Sequence, residues 1–256
     1  MKNKDFFYLQ YNKINWKNQE KTKINAFINE YIIQNIVLKQ KLDEIALFDI
    51  GFGIGFFIKM LIDNLKGKYQ NIIIEGCEPS KVNYDYWLSL KLNEDNDKIQ
   101  ILTYKKPFQD VETDKKFDFI TAIYVFPHFL SEDMEEIAKK IHTMLKSDGK
   151  FILILAEENY LKEKLKSEKD LFIETNNITY NGKSYKEILH YSDIPEIGKV
   201  IDYNKEESFY LDLFDDNNFK LRNKEKLNDN GFICTLFIFE KKLVGINIPG
   251  PAGQSS

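Results

Sequence analysis

Phe48-Asp49-Ile50-Gly51-Phe52-Gly53-Ile54-Gly55 is the stretch on which the reading of this chain turns. It follows a short apolar run (45–50) and precedes a segment of helical apolar spacing (56–65), the setting in which a glycine loop carries meaning. Glycines at alternate positions let the backbone turn tightly and put no Cβ between the chain and a ligand. The helix that follows offers unpaired amides at its start. Such a loop also serves as a purely steric strand-to-helix turn, and its third glycine comes one residue too early for the Gly-x-Gly-x-x-Gly of dinucleotide binders. Two acids extend the pattern. Asp49 stands at the leading edge of the loop, and the next apolar run (71–77) ends in Gly76-Cys77-Glu78-Pro79-Ser80. A carboxylate there can accept both hydroxyls of a ribose lying across the strand ends, where open parallel sheets bind ligands.

Outward from the loop, strands and helices are predicted to alternate. Ile24, Phe27, Ile28, Tyr31, Ile32, Ile36 and Leu38 suit one face of an amphipathic helix, and the aromatic leader 6–16 is expected to pack on the fold. Further helices are expected over 80–92 and 131–145, with strands over 99–103, 117–124 and 150–156. Ser131 and the acids after it suit a helix start, and Asp148-Gly149 reads as its stop. Runs apolar throughout, separated by helices, imply strands buried on both faces and a mostly parallel sheet. Residues 158–205 are polar and rich in Tyr and Lys, with a hairpin signal at Asn181-Gly182 and a turn at Ile194-Pro195. A helix over 206–214 and a strand over 232–240 follow. The Pro/Gly/Ser-rich end, 248–256, is set aside as a tail.

Composition limits the function. Of 256 residues 43% are hydrophobic and 30% charged, which suits a packed globular fold. With 36 Lys+Arg against 40 Asp+Glu, a net charge of −4 argues against a protein that grips nucleic acid through its phosphates. Cys77 and Cys234 form no CxxC pair and read as reduced core residues. No signal-like leader and no membrane-length apolar run stands out, so a cytoplasmic protein with no membrane partner is expected.

Taken in order, these motifs resemble the class I S-adenosylmethionine-dependent methyltransferase family. The resemblance rests on 48–55, on Gly76-Cys77-Glu78-Pro79-Ser80, on Lys116-Phe117-Asp118-Phe119-Ile120 and on the turn 145–151. Asn217-Asn218-Phe219 stands where the family often has Ala-Gly-Phe. It covers 42–156 well and 206–241 more loosely. It implies an α/β fold: a Rossmann-like, seven-stranded, mostly parallel sheet with helices on both faces, an N-terminal helical cap and a lid insertion before the last strands. The expected organisation is one domain, 1–243, with a cap (1–41), a cofactor-binding core (42–156), a substrate lid (157–205), a C-terminal helix and strands (206–243), and a tail (244–256). It also implies S-adenosyl-L-methionine as cofactor and S-adenosyl-L-homocysteine as product. Asp49, Gly51, Gly53 and Gly55 would line the methionine end, Glu78 would hold the ribose, and Pro107 and Phe108 would flank the adenine. Ala122 would offer its carbonyl, and Tyr11 would close over the site. Lys106-Pro107 replaces the acid common in relatives, so adenine recognition falls to backbone groups, Phe108 or Asp110.

Methyl transfer to a hydroxyl needs an aligned nucleophile, a dry site and a proton acceptor. His128, in the loop after the fourth strand, is the candidate base, since imidazole titrates near neutral pH. Tyr124, His190 and Tyr191 are expected to contact the acceptor, and no metal is expected. The leading expectation is a small-molecule acceptor methylated on oxygen, a sugar or a surface-polysaccharide substituent among the options. A catalytically inactive adenosylmethionine-binding module and a nicotinamide-dependent reductase stand as alternatives; the glycine spacing speaks against the second. Oligomeric state is left open.

Overall fold

The computed structural model describes residues 16–92, 98–194 and 198–242. Five parallel strands come first: β1 Glu44–Ile50, β2 Asn71–Cys77, β3 Ile99–Tyr104, β4 Phe117–Ile123 and β5 Leu145–Ala156. With β9 Phe219–Asp229 and β10 Phe232–Lys241 they form one sheet of order β3-β2-β1-β4-β5-β10-β9, in which β10 runs antiparallel to both its neighbours. The order reverses at β1, between β2 and β4, so the crevice beyond Ile50 is where this topology places a ligand.

Helices cover both faces. On one side α1 (Ala26–Ile32, running on as a π-helical turn Ile33–Val37) and α2 (Phe56–Leu65) bury Ile28, Ile32, Ile58 and Leu61 against Leu47, Phe119 and Ile152. On the other, α4 (Met134–Met144) and α6 (Glu207–Asp216) bury Ile137, Ile141 and Phe214 against Phe48, Ile120 and Phe151. Successive strand residues alternate between these two layers, so the strands read as apolar throughout. Two further helices, α3 (Lys81–Ser89) and α5 (Glu158–Ser167), follow β2 and β5. The 116–120 motif also has a structural job. Asp118 accepts both Lys146 Nζ (2.8 Å to each oxygen) and the Ala46 amide (2.8 Å), tying β4, β5 and β1 at the end of the sheet away from the crevice.

The structure departs from the sequence reading in two elements. Asp148-Gly149 does not stop a helix, because α4 ends at Met144 and β5 already begins at Leu145. The pair sits in a register shift opposite β4, and a Cβ on Gly149 would lie 2.7 Å from the Phe117 carbonyl oxygen, so glycine is there for backbone approach. Strand β9 is implied only by the seven-stranded resemblance, which gives it no residues: it is an edge strand, mostly exposed and rich in Lys, Arg and Asn, with no apolar run to mark it.

Residues after α5 fold as a separate antiparallel sheet, β6 (Phe172–Tyr180), β7 (Lys183–Ile194) and β8 (Gly198–Lys205), in that order. The Asn181-Gly182 turn joins β6 to β7 with both residues left-handed (φ 46° and 74°), as a two-residue hairpin loop requires. Lys205, its side chain fully buried, fastens this small sheet to the loop after β4. Its Nζ donates to the Phe129 carbonyl (3.0 Å) and pairs with Glu187 (3.3 Å), which also accepts the Ser131 hydroxyl (2.7 Å). Burial lowers the Lys205 ammonium to about 8, with Glu187 opposing. Lys205→Met would strand the Glu187 carboxylate in the interior, and unfolding in urea is expected to show a loss of about 3–5 kcal/mol. Glu187→Leu added to Lys205→Met is expected to recover most of that loss; an unchanged midpoint for the single variant would show that the pair does not hold the sheet down.

Candidate active site

The turn after β1 is left-handed at each glycine, with φ of 65° at Gly51, 58° at Gly53 and 81° at Gly55. Two of these positions show different reasons for glycine. A Cβ on Gly55 would lie 2.1 Å from the Trp87 ring, so this residue is glycine for packing, and it is not part of the cavity wall. A Cβ on Gly53 would meet no atom within 4 Å, because it would project into the cavity. Gly51 lines the cavity too, with Val125 close behind it.

Glu78 reaches from the end of β2 to the loop. Its Oε2 accepts the Gly53 amide (2.9 Å) and its Oε1 the Ser80 amide (2.8 Å). Ser80 caps α3 in turn, its hydroxyl accepting from the Asn83 amide. Asp49 is buried as well, and its Oδ1 accepts the Thr121 hydroxyl at 2.7 Å. Burial pushes both carboxyls up to about 7. The Ser80 and Gly53 amides oppose it at Glu78, and the Thr121 hydroxyl opposes it at Asp49.

Both acids open onto a cavity of about 430 Å³, a size that suits a small-molecule site. Its wall includes Asn83, whose buried Oδ1 has no hydrogen-bond partner among the described residues. Two desolvated carboxyls and an orphaned acceptor beside a bare glycine suit a ligand that brings hydroxyl donors and positive charge. A cationic nucleoside with a free ribose meets that description.

At the far side, Tyr124, Val125, Pro127 and His128 line the same cavity, and so do His190, Tyr191, Ser192 and Asp202 from the small sheet. Tyr124 takes a left-handed φ of 57°, unusual for a ring-bearing residue, as the chain leaves β4. His128 lies in the helical turn Phe126–His128, with Nδ1 3.1 Å from Asp202 Oδ1. Asp202 also accepts the Ser192 hydroxyl. Burial works to raise its carboxyl, but His128, with lesser help from His190 and Ser192, holds it below the ordinary value.

The expected site residues sort as follows. Asp49, Gly51, Gly53, Glu78, Pro107, Phe108, Tyr124, His128, His190 and Tyr191 all line the one cavity. Ala122 does not: it is buried in the core, paired with Ile50 in the sheet, and Ile123 takes the wall position. His190 lines the cavity, and the protein engages both its ring nitrogens, Nδ1 with the Tyr191 carbonyl (3.1 Å) and Nε2 with Asn204 (2.7 Å). The carbonyls of Phe108, Gln109 and Val111 accept from Lys140 Nζ, which also lies 5.1 Å from the centroid of the buried Phe108 ring. Tyr11 lies outside the described residues. Asp202 and Asn83 were missed. The signal for Asp202 was a single acid within the apolar run Val200-Ile201-Asp202-Tyr203.

Gly53→Val is expected to fold, with a loss of roughly 1–2 kcal/mol for its left-handed backbone, yet to abolish binding of S-adenosylmethionine in calorimetry. Gly55→Ala is expected instead to lower thermal stability, because the Trp87 ring must move. Equal effects of both on binding alone would show that the loop is only a turn. A cationic ligand favours ionised Asp49 and Glu78, which lie at about 7 without it. Its affinity is therefore expected to rise between pH 6 and 8 with release of protons, read from heats in buffers of different ionisation enthalpy. A flat profile would overturn the contact with these carboxyls.

A family model for a methyltransferase domain matches residues 24–221. No curated protein matches the sequence. Among solved structures the fold resembles an S-adenosylmethionine-dependent methyltransferase from Clostridium acetobutylicum (14% identity, 89% of this chain and 96% of that one, TM-score 0.55). It also resembles the glycopeptide N-methyltransferase MtfA in complex with S-adenosylmethionine (11%, 83% and 93%, 0.58). A third is magnesium protoporphyrin IX methyltransferase from Synechocystis, solved with S-adenosylhomocysteine (12%, 84% and 83%, 0.58). At these identities the likeness concerns the fold, while the family model spans most of the chain. The chain belongs to the S-adenosylmethionine-dependent methyltransferases of class I.

Proposed function

We propose that this methyltransferase transfers the methyl group to an oxygen of a small molecule held between the glycine loop and the small sheet, with His128 taking the proton. The observation that carries the reading is His128 in the cavity wall with Nδ1 3.1 Å from a buried carboxylate. Bound at the loop, S-adenosylmethionine supplies a methyl group on a positively charged sulfur, and that charge is lost as the methyl moves. Glu78 would hold the ribose hydroxyls with the lone pairs its two amide contacts leave, and Asp49 would face the cationic end. Tyr191, Ser192 and Asn204 join His128, His190 and Asp202 in giving the acceptor side many polar atoms, which suits a hydroxylated molecule such as a sugar derivative. The free, buried thiols of Cys77 and Cys234 support work in a reducing, cytoplasmic setting.

His128→Ala is expected to cut turnover by about two to four orders of magnitude with unchanged affinity for S-adenosylmethionine, followed by formation of S-adenosylhomocysteine across a panel of hydroxylated acceptors. Turnover near the native rate would assign the proton elsewhere. Tight cofactor binding with no turnover on any acceptor would favour a regulatory binding module instead.

A further inference from the structure

We propose that Asp202, delivered by strand β8 of the small sheet, is a positioning residue for methyl transfer: its carboxylate holds His128 as the Nδ1–H tautomer and turns Nε2 toward the acceptor. The inference rests on the reading of His128 as the base. It adds that the base is incomplete until the insertion is in place.

Three observations carry it. The first is the 3.1 Å approach of His128 Nδ1 to Asp202 Oδ1, made between the turn after β4 and a strand far along the chain, with both residues on the cavity wall. The second is that the other carboxylate oxygen accepts the Ser192 hydroxyl from β7, which fixes the orientation of Asp202. The third concerns His190, directly opposite Asp202 in the β7–β8 pairing. The Tyr191 carbonyl can only accept, so His190 Nδ1 carries the hydrogen and Nε2 accepts from the Asn204 amide. Both nitrogens of that ring are occupied by Tyr191 and Asn204, which leaves His128 Nδ1 as the imidazole nitrogen facing Asp202. The groups facing Asp202 are thus His128 from the core and His190 and Ser192 from β7.

The step balances as follows. The acceptor oxygen bonds the methyl carbon as the carbon–sulfur bond breaks, and the hydroxyl proton passes to His128 Nε2. The products are the methyl ether, neutral S-adenosylhomocysteine and an imidazolium beside the Asp202 carboxylate, which returns its proton to water. Asp202 stays ionised throughout and stabilises the imidazolium, the part a carboxylate plays beside a histidine base.

The test is nitrogen NMR of the His128 ring in the full chain without ligand, joined to steady-state kinetics. The neutral ring of the native protein is expected as the Nδ1–H tautomer. With Asp202→Asn the ring is expected to shift toward the Nε2–H tautomer. Turnover is expected to drop by about 100-fold or more, with the KM of the acceptor and the affinity for S-adenosylmethionine close to native, and Asp202→Glu should restore part of the rate. A native Nε2–H tautomer overturns the proposal, and this needs no variant to fold. A tautomer unmoved by Asp202→Asn overturns it too, even where activity falls, since a mere tie between sheet and core would behave so. Lost turnover in His128→Ala with that unmoved tautomer defeats this proposal alone. Retained turnover in His128→Ala defeats the base itself, and this proposal with it.

Discussion

One carboxylate joins the pieces of this site. Glu78 accepts an amide from the glycine loop with one oxygen and an amide from the start of α3 with the other. A buried carboxylate is costly unless hydrogen bonds compensate it, and here both oxygens are compensated by backbone N–H groups. The interaction works only if the loop presents the Gly53 amide inward, which it does in a left-handed conformation that glycine adopts without strain. Parallel pairing of β1 with β2, Asp49 opposite Gly76, brings the loop and the acid to the same level. The hydrogen bond follows from register as much as from residue type.

The cavity draws on two sources that are independent in the sequence. The parallel sheet provides the half next to the loop, as the class I methyltransferase fold does for its cofactor. The other half combines the turn after β4 with the small sheet, and Lys205 with Glu187 buries a charge pair where the two meet. Such a pair contributes little to net stability but is costly to break, so it suits a joint that must hold one geometry. The fold alone does not name the acceptor.

Much of the architecture was legible in the residues. The strands sandwiched between helices announced themselves as apolar runs, because both faces are covered. The Asp49, glycine and Glu78 constellation was legible because chemistry restricts those positions to few residue types. What was not legible shares one cause. Strand β9 is an exposed edge, the Asp148-Gly149 bulge answers to a carbonyl on another strand, and Ile123 rather than Ala122 stands on the cavity wall.

By itself, then, the chain's order of residues determined the sheet, the loop and the acids beside it, since these follow from periodicity and local backbone freedom. Only the tertiary structure decided that His190 is occupied by Tyr191 and Asn204, that Gly55 serves packing, and that His128 meets Asp202. Apart from the neighbouring Tyr191 carbonyl, those are contacts between separate elements, and no local pattern encodes a distance across a cavity.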